Sequence, residues 1–426
     1  MTSGFVGATP PRRRDRVVQP AIVRVATRWV IVVVVLAHGL LHLLGAAKGL
    51  GWAEVTQLQQ PISTPMGWAW LAAGALVLLA GVLLAFGSRR WWAVGAVAVV
   101  SSQAMIFSSW SDAKAGTAAN LILLGAVIHG YASMGPTSYR AEYHRRTRSA
   151  LADLATVRSD AGMVTDTDLA HLPTSVAAYV RQSGAVGQAR VTSFGARIHG
   201  RIRAGPDRPW MRFSGEQVNT YGTDLTRLFF LDATMFGVPV DVLHAYLGSS
   251  ATMRVKAVSL IPMVHASGTE MDRAETVTVF NDLCALAPAA LVEARVTWQP
   301  IDQHHARGTF TNGAHTVSAE LVFNDDHELV DFVSDDRLRA SSDGTTFTRQ
   351  RWSTPFSDYR TVDSRRVSSH GEARWHAPAP EGEFCYLEVT LDDLRYNLHA
   401  TPPAGTQPRA PRSRWSWIPT VSRCAD

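Results

Sequence analysis

Residues 66–87 read MGWAWLAAGALVLLAGVLLAFG, and this stretch decides the first half of the fold. It contains no Asp, Glu, Lys or Arg. At 1.5 Å per residue it would reach about 33 Å as a helix, enough for a hydrocarbon core of about 30 Å. A helix satisfies its own backbone hydrogen bonds, which lipid cannot do for it. Three more uncharged runs flank it: 29–47 with VIVVVVLA, 91–108 reading WWAVGAVAVVSSQAMIFS, and 117–134 reading TAANLILLGAVIHGYASM. Four such runs, with charge confined to the gaps between them, predict a four-helix transmembrane bundle rather than the buried helices of a soluble protein. No small-residue cleavage site leads from the first run into a soluble region, so the run is not read as a signal peptide.

The rest of the 426-residue chain divides around this bundle. Residues 1–28 form a basic N-terminal segment, 135–169 a juxtamembrane linker, 170–399 a soluble domain and 400–426 a tail rich in Pro, Arg, Ser and Thr that reads as disordered. The first 150 residues hold 14 Lys and Arg against 4 Asp and Glu; the remainder holds 27 against 32. The basic excess thus flanks the helices, where anionic headgroups can neutralise it. A net acidic soluble domain is a poor partner for a phosphate backbone, so nucleic acid is excluded as a partner and the lipid bilayer is expected. Twelve arginines fall on one side of the predicted bundle, against Lys48 and Lys114 on the other. The positive-inside rule then puts both termini and the soluble domain in the cytoplasm, at the inner (plasma) membrane.

Beyond about residue 170 the period of the sequence changes to two. Stretches such as WMRFSGEQVNTY, LTRLFFLDATMF and HTVSAELVFND alternate or are rich in β-formers. Turn signals separate them, among them Asn-Gly at 312–313 and Asn-Asp-Asp at 324–326. About eleven strands are expected, interrupted by one helix from near Met271 to Pro288 and preceded by another around LPTSVAAYVRQSG. The predicted fold class is therefore a multi-domain membrane protein: a transmembrane bundle plus an α+β domain dominated by a large curved antiparallel sheet, or half-barrel.

No nucleophile elbow, P-loop, HExxH or dinucleotide fingerprint is present, and an enzyme is the less favoured reading. The sparse cysteines Cys284, Cys385 and Cys424 form no CxxC and no disulfide framework. Within the bundle, His38 and His42 share a helix face and His129 lies in the fourth run; neutral imidazoles there could hold haem or a metal, or tie helices together by hydrogen bonds. No cofactor is predicted. Asp112, Lys114 and Asn120 mark a polar turn between the third and fourth runs, with Asp112 and Lys114 able to pair. In the soluble half, Glu270, Asp272 and Glu275 read as acids favouring a helix N-terminus. Phe229, Leu231 and Met235 alternate along one strand and are the candidate lining of a ligand cavity, with Leu228 and Phe230 on the opposite face.

The stretches SLIPMVHASGTEMDRAE, GTFTNGAHTVSAELVFNDD, PFSDYRTVDSRRVSSHGEARW and LRYN resemble a family of uncharacterised bacterial proteins whose soluble domain is a domain of unknown function. The resemblance covers roughly residues 170 to 397. HGLLHLLG, KGLGW, QPISTPMG and SDAKAGTAAN look like the helical region fused to that domain in some members. By strand pattern the domain is also similar to lipoprotein-carrier (Lol-type) half-barrels, which hold acyl chains. That likeness implies an extracytoplasmic domain and so conflicts with the arginine asymmetry. The leading expectation is a membrane-anchored module binding a lipid or other apolar ligand; the alternatives are a redox, metal or haem protein using the transmembrane histidines, or a structural membrane protein without ligand.

Overall fold

The computed structural model describes residues 20–157, 162–235, 237–341 and 344–399, so most of the basic N-terminal segment and the tail at 400–426 lie outside the described residues. Four helices are long and apolar enough to cross a membrane. They are built on α1 (Pro20–Gly49), α2 (Thr64–Ala85), α3 (Trp91–Ser108) and, after the single turn α4 (Trp110–Ala113), α5 (Gly116–Met134). Glycine sets how closely α1 and α2 approach. A Cβ on Gly67 would sit 2.8 Å from the backbone of Gly49, and one on Gly74 would sit 2.9 Å from His42. Small residues at such crossings let helices pack where no hydrophobic force separates them from lipid.

The chain breaks at Gly135 and Pro136 and re-enters helix as α6 (Tyr139–Val157), whose start is capped by Ser138 Oγ accepting the Ala141 N–H at 3.1 Å. A short helix α7 (Thr174–Gln182) follows. Then come six strands joined as successive hairpins: β1 (Ser193–Ile202), β2 (Met211–Tyr221), β3 (Leu225–Met235), β4 (Val238–Leu247), β5 (Ser250–Ala257) and β6 (Ile261–Ser267). The helix α8 (Thr269–Leu286) separates them from β7 (Val296–Pro300), β8 (His305–Asn312), β9 (His315–Phe323) and β10 (Leu329–Ser334). Two short strands, β11 (Leu338–Ala340) and β12 (Phe347–Arg349), pair with each other. The chain ends its described fold with β13 (Trp352–Ser353), β14 (Phe356–Val362), β15 (Arg365–His376) and β16 (Glu383–Tyr396).

Among the described residues, fourteen strands form one antiparallel sheet in the order β6-β5-β4-β3-β2-β1-β16-β15-β13-β10-β9-β8-β7, with β14 paired beside β15. A sheet of this width curls, and here it wraps α8 to give the expected half-barrel. Strands outnumber the expected eleven because apolar runs read as one strand are hairpins: DVLHAYLGSSATMRVKAV is both β4 and β5, turned at Gly248. Phe280 of α8 sits at the centre of the concave core, stacked on Phe310 and edge-on to Phe332, with centroids 5.2 and 5.3 Å away.

The sheet is covered on its convex face as well. Tyr139 and Tyr143 of α6 pack on Val218, Leu228, Phe230, Leu243 and Ala245. Ion pairs fix this contact, Arg140 to Glu216 at 3.0 Å and Arg254 to Glu142 at 2.6 Å. Two covered faces explain why LTRLFFL is nearly continuously apolar: Leu228 and Phe230 serve α6, while Phe229 and Leu231 serve the concave core.

Candidate functional site

Alternation along two neighbouring strands brings polar groups to the concave face. Gln217 and Asn219 on β2 and Arg227 on β3 point the same way as Phe229, toward α8. There Asp282 Oδ2 accepts from Gln217 Nε2 at 2.6 Å, Asn219 Nδ2 at 3.2 Å and Arg227 Nε at 2.6 Å. Two helical turns back, Glu275 accepts from Arg337 at 2.7 Å and faces His244 Nε2 at 3.3 Å. Arg227 Nη1 donates to His244 Nδ1 at 2.6 Å. That bond assigns the tautomer: Nδ1 accepts, so the ring proton sits on Nε2, which lies near Glu275 but makes no hydrogen bond to it.

Arg227, His244, Glu275 and Asp282 are buried and the Arg337 side chain is 12% exposed, so two arginines balance two carboxylates around a neutral histidine. Burial pushes the His244 imidazole down to about 4; Glu275 opposes this and Arg227 and Arg337 reinforce it. Burial by itself would raise the Glu275 carboxyl, but Arg337, His244 and Arg227 outweigh it and hold that group at about 2. Reading Glu275 with Glu270 and Asp272 as acids of a helix start is corrected here. Only Glu270 and Asp272 lie in the first turn of α8, and Asp272 Oδ1 accepts the Ala251 N–H at 2.5 Å. Glu275 lies beyond the reach of the helix terminus and is an ion-pair partner in the core.

Next to this network a cleft of about 330 Å³ opens between the β2–β3 turn, α8 and the end of β8. Val191, Leu225, Val279, Leu283 and Phe310 supply apolar walls, and Tyr221, Thr223, Glu293, Arg295 and Asn312 supply polar atoms. Its size is at the low end for small-ligand sites, which fits one small molecule and not a two-chain lipid. Asn312 is held in place by donating to Tyr246 Oη at 2.7 Å and to the Gly248 carbonyl at 2.6 Å.

The cleft lies at the end of the sheet far from the bundle. The near end is marked by His129 of α5, whose Nδ1–H donates to the Val258 carbonyl in the β5–β6 turn at 3.0 Å. The far end holds the β2–β3 turn, where Gly222 lies against Leu154, three residues before the last residue of α6. The 19 residues of α6 span about 28 Å, so α6 is a strut from the bundle to the cleft.

The residues singled out in the sequence are distributed as follows. Phe229, Leu231 and Met235 all belong to the concave core, but none is among the residues lining the cleft. Phe229 instead stacks under the Arg227 guanidinium, 5.1 Å from the ring centroid. His38 and His42 are buried together in the bundle, ring centroids 4.7 Å apart. His38 Nε2 bonds Asn120 Oδ1 at 3.0 Å and Ser102 Oγ at 3.1 Å, and His42 Nδ1–H donates to the His38 carbonyl at 3.0 Å. Asn120 also donates to Gln103 at 3.0 Å. His129 does not join them, because it serves the contact with Val258. Asn120 therefore belongs with His38 rather than with Asp112 and Lys114. The pairing of Asp112 with Lys114 is not formed. The Asp112 carboxylate instead accepts the N–H groups of Gln59 and Gln60 at 2.7 and 2.9 Å, which ties the α3–α5 turn to the α1–α2 loop and lowers its pKa. Sequence reasoning missed Ser102 and Gln103, plain polar residues in an apolar run. It also missed Gln217, Asn219 and Arg227, whose period-two spacing was visible but was assigned to no face.

Membrane-length helices bearing a half-barrel closed by a helix across its concave face define a membrane-anchored half-barrel protein. The chain belongs to DUF6544, a family of unknown function that matches residues 162–389, in keeping with the resemblance drawn over 170–397. No curated protein matches it. Among solved structures it is similar to a DUF1329 family protein from Desulfovibrio piger, with 14% identity and a TM-score of 0.31 over 53% of this chain and 92% of that one. It is also similar to a putative outer membrane lipoprotein-sorting protein domain from Vibrio parahaemolyticus, with 8% identity and a TM-score of 0.29 over 48% and 85%.

Proposed function

We propose that this chain is a membrane-anchored binding module whose half-barrel takes one small amphipathic ligand in the cleft between the β2–β3 turn, α8 and β8. The cleft itself carries the reading. Apolar side chains such as Leu225 and Phe310 and the polar groups of Tyr221, Thr223, Glu293 and Asn312 share in about equal measure the lining of about 330 Å³ of space. A concave site that combines an apolar wall with placed polar atoms suits an amphipathic ligand. The ligand class is an acyl chain or comparable apolar body with a polar end. Because the cleft faces away from the bundle, the ligand enters from the aqueous side and not sideways from the leaflet that anchors the chain.

The test is photocrosslinking of the full chain in its own membrane with a diazirine-bearing fatty acid, mapped by peptide mass spectrometry. Crosslinks are expected at Thr223, Leu225 and the 290–295 segment. Thr223→Trp places an indole at the exposed mouth without touching the core and should abolish those crosslinks at unchanged expression. Labelling confined to α1–α5 would sink the proposal.

A further inference from the structure

The end of the sheet that faces the bundle carries an apolar patch. Leu260, Ile261 and Met263 at the β5–β6 hairpin are 44%, 57% and 52% exposed, and Val238 at the start of β4, beside the adjacent β3–β4 turn, is 39% exposed. Registers place these turns together: Met235 pairs with Val238, Val240 with Ala257, and Ala257 with Ile261. The depth of the hairpin tip is fixed by the His129–Val258 bond. His129 lies five residues before Met134, the last residue of α5, so the tip reaches about 7.5 Å up the helix from its end. At that level Trp92 and Tyr131 meet edge-on with centroids 5.0 Å apart, the aromatic pair expected at a membrane–water interface.

We propose that the β5–β6 hairpin dips into the bilayer interface beside α5, giving the half-barrel a membrane contact of its own. The occupant of the patch is the headgroup–acyl boundary of the leaflet where α5 ends. Continuity supports it: the hairpin is bonded to His129, which the exposed Ile128 and Tyr131 flank along α5. Charge supports it as well, since Lys256 and Arg254 lie over the Tyr139 ring just below the tip, in the position of a basic flank to an inserted apolar element. The turn has a matching peculiarity. Val258 and Ser259 both adopt positive φ, +46° and +62°, where Asn-Gly would be the unstrained choice. A β-branched residue there is strained, and what it gains is an apolar side chain in place of a polar one at the tip. A second copy of the chain is the competing occupant. Strand pairing along β6 is opposed by Pro262, which offers no N–H, and by the bulge opposite it between Val255 and Lys256.

The experiment uses the full chain with Cys385→Ser and Cys424→Ser, reconstituted in vesicles of mixed phosphatidylcholine and phosphatidylglycerol. A nitrobenzoxadiazole label is placed at Ile261→Cys and, separately, at Ala314→Cys, exposed in the β8–β9 turn at the far end of the sheet. Ile261 is exposed, so the substitution leaves the fold intact. The label at 261 is expected to be blue-shifted, quenched severalfold by spin-labelled lipid and insensitive to iodide, with the reverse at 314. Iodide access at 261 equal to that at 314 would overturn the proposal. So would a label at 261 shielded from both iodide and lipid quencher, which would mean that protein covers the patch.

Discussion

The buried network on α8 is an arrangement of single residues whose effect on stability has a definite sign. His244 has an ordinary value of 6.5 and sits at about 4 when folded. Between those values the unfolded chain binds a proton that the native chain does not, so stability falls as pH drops from about 6.5 to 4. At 1.36 kcal/mol per unit this amounts to about 3 kcal/mol. Glu275, with an ordinary value of 4.5, is held at about 2 and contributes stability that is present above 4.5 and lost as pH falls toward 2. Both groups therefore weaken the fold on acidification, His244 first. Urea unfolding of the detergent-solubilised chain should show the loss between pH 6.5 and 4. His244→Asn keeps an acceptor near Arg227 but cannot titrate, so its loss across that window should be about 3 kcal/mol smaller than that of the wild type, the remaining slope coming from groups such as His144, which burial also lowers. A slope like that of the wild type in this variant would assign the effect to another group. Glu275→Gln leaves Arg337 without its anion and should cost about 3–5 kcal/mol at pH 7. This site was the least legible part of the sequence. Glu275, Asp282 and Arg227 have the composition of surface residues, and only the sheet closing over α8 tells that they are inside. His38, His42 and Asn120 were legible because a polar group in a run of membrane length has few places to go.

At the scale of elements, α6 is where sequence and structure part most usefully. Residues 135–169 read as a linker because their charge density is high and their apolar residues are few. Yet two tyrosines and two ion-pairing side chains, Arg140 and Glu142, suffice to dock α6 on the convex face, since β2, β3 and β4 supply the apolar partner surface. Helical periodicity shows that α6 is a helix; its partner is fixed only by strands more than 60 residues later. Strand periodicity, by contrast, was read directly, because alternation is local, and the curled sheet follows from strand number. The docking predicts where a separable soluble unit begins. A fragment starting at Tyr139 should be monomeric, with β-dominated circular dichroism. A fragment starting at Asp168 exposes Val218, Leu228, Phe230, Leu243 and Ala245 together, and should self-associate or melt lower. Within the longer fragment Tyr143→Ala removes a buried ring and should cost about 3–4 kcal/mol. Equal melting temperatures and equal elution volumes for the two fragments would show that α6 is an accessory rather than part of the domain.

For the whole molecule the open matter is which compartment receives the half-barrel. The structure places the early part of α1, the α2–α3 turn and the half-barrel on the same side of the bundle. Arg28 of α1 donates to the Ala85 carbonyl at the end of α2, beside Arg89 and Arg90. The β5–β6 turn meets α5 at His129, on the side where α5 ends. On the opposite side, Lys48 donates to the Leu58 carbonyl and Asp112 accepts from Gln59 and Gln60, so the two loops there close on each other. The geometry thus groups the loops, and charge alone assigns the side. Nearly all basic residues of the loops lie with the half-barrel, and on the positive-inside rule we propose that this side is the cytoplasm. A cytoplasmic half-barrel would meet soluble or newly made amphiphiles, and its thiols Cys284 and Cys385 would stay reduced. An exported one would meet ligands in transit between membranes. Alkaline phosphatase fused after Asp426 should therefore be inactive, and green fluorescent protein at the same point should fluoresce. Phosphatase inserted near Glu54, on the far side of the bundle, should be active. Activity from the fusion at Asp426 with none near Glu54 would invert the whole molecule. The cleft would keep its geometry and the hairpin its depth, but the leaflet touched by Leu260, Ile261 and Met263 would be the outer one.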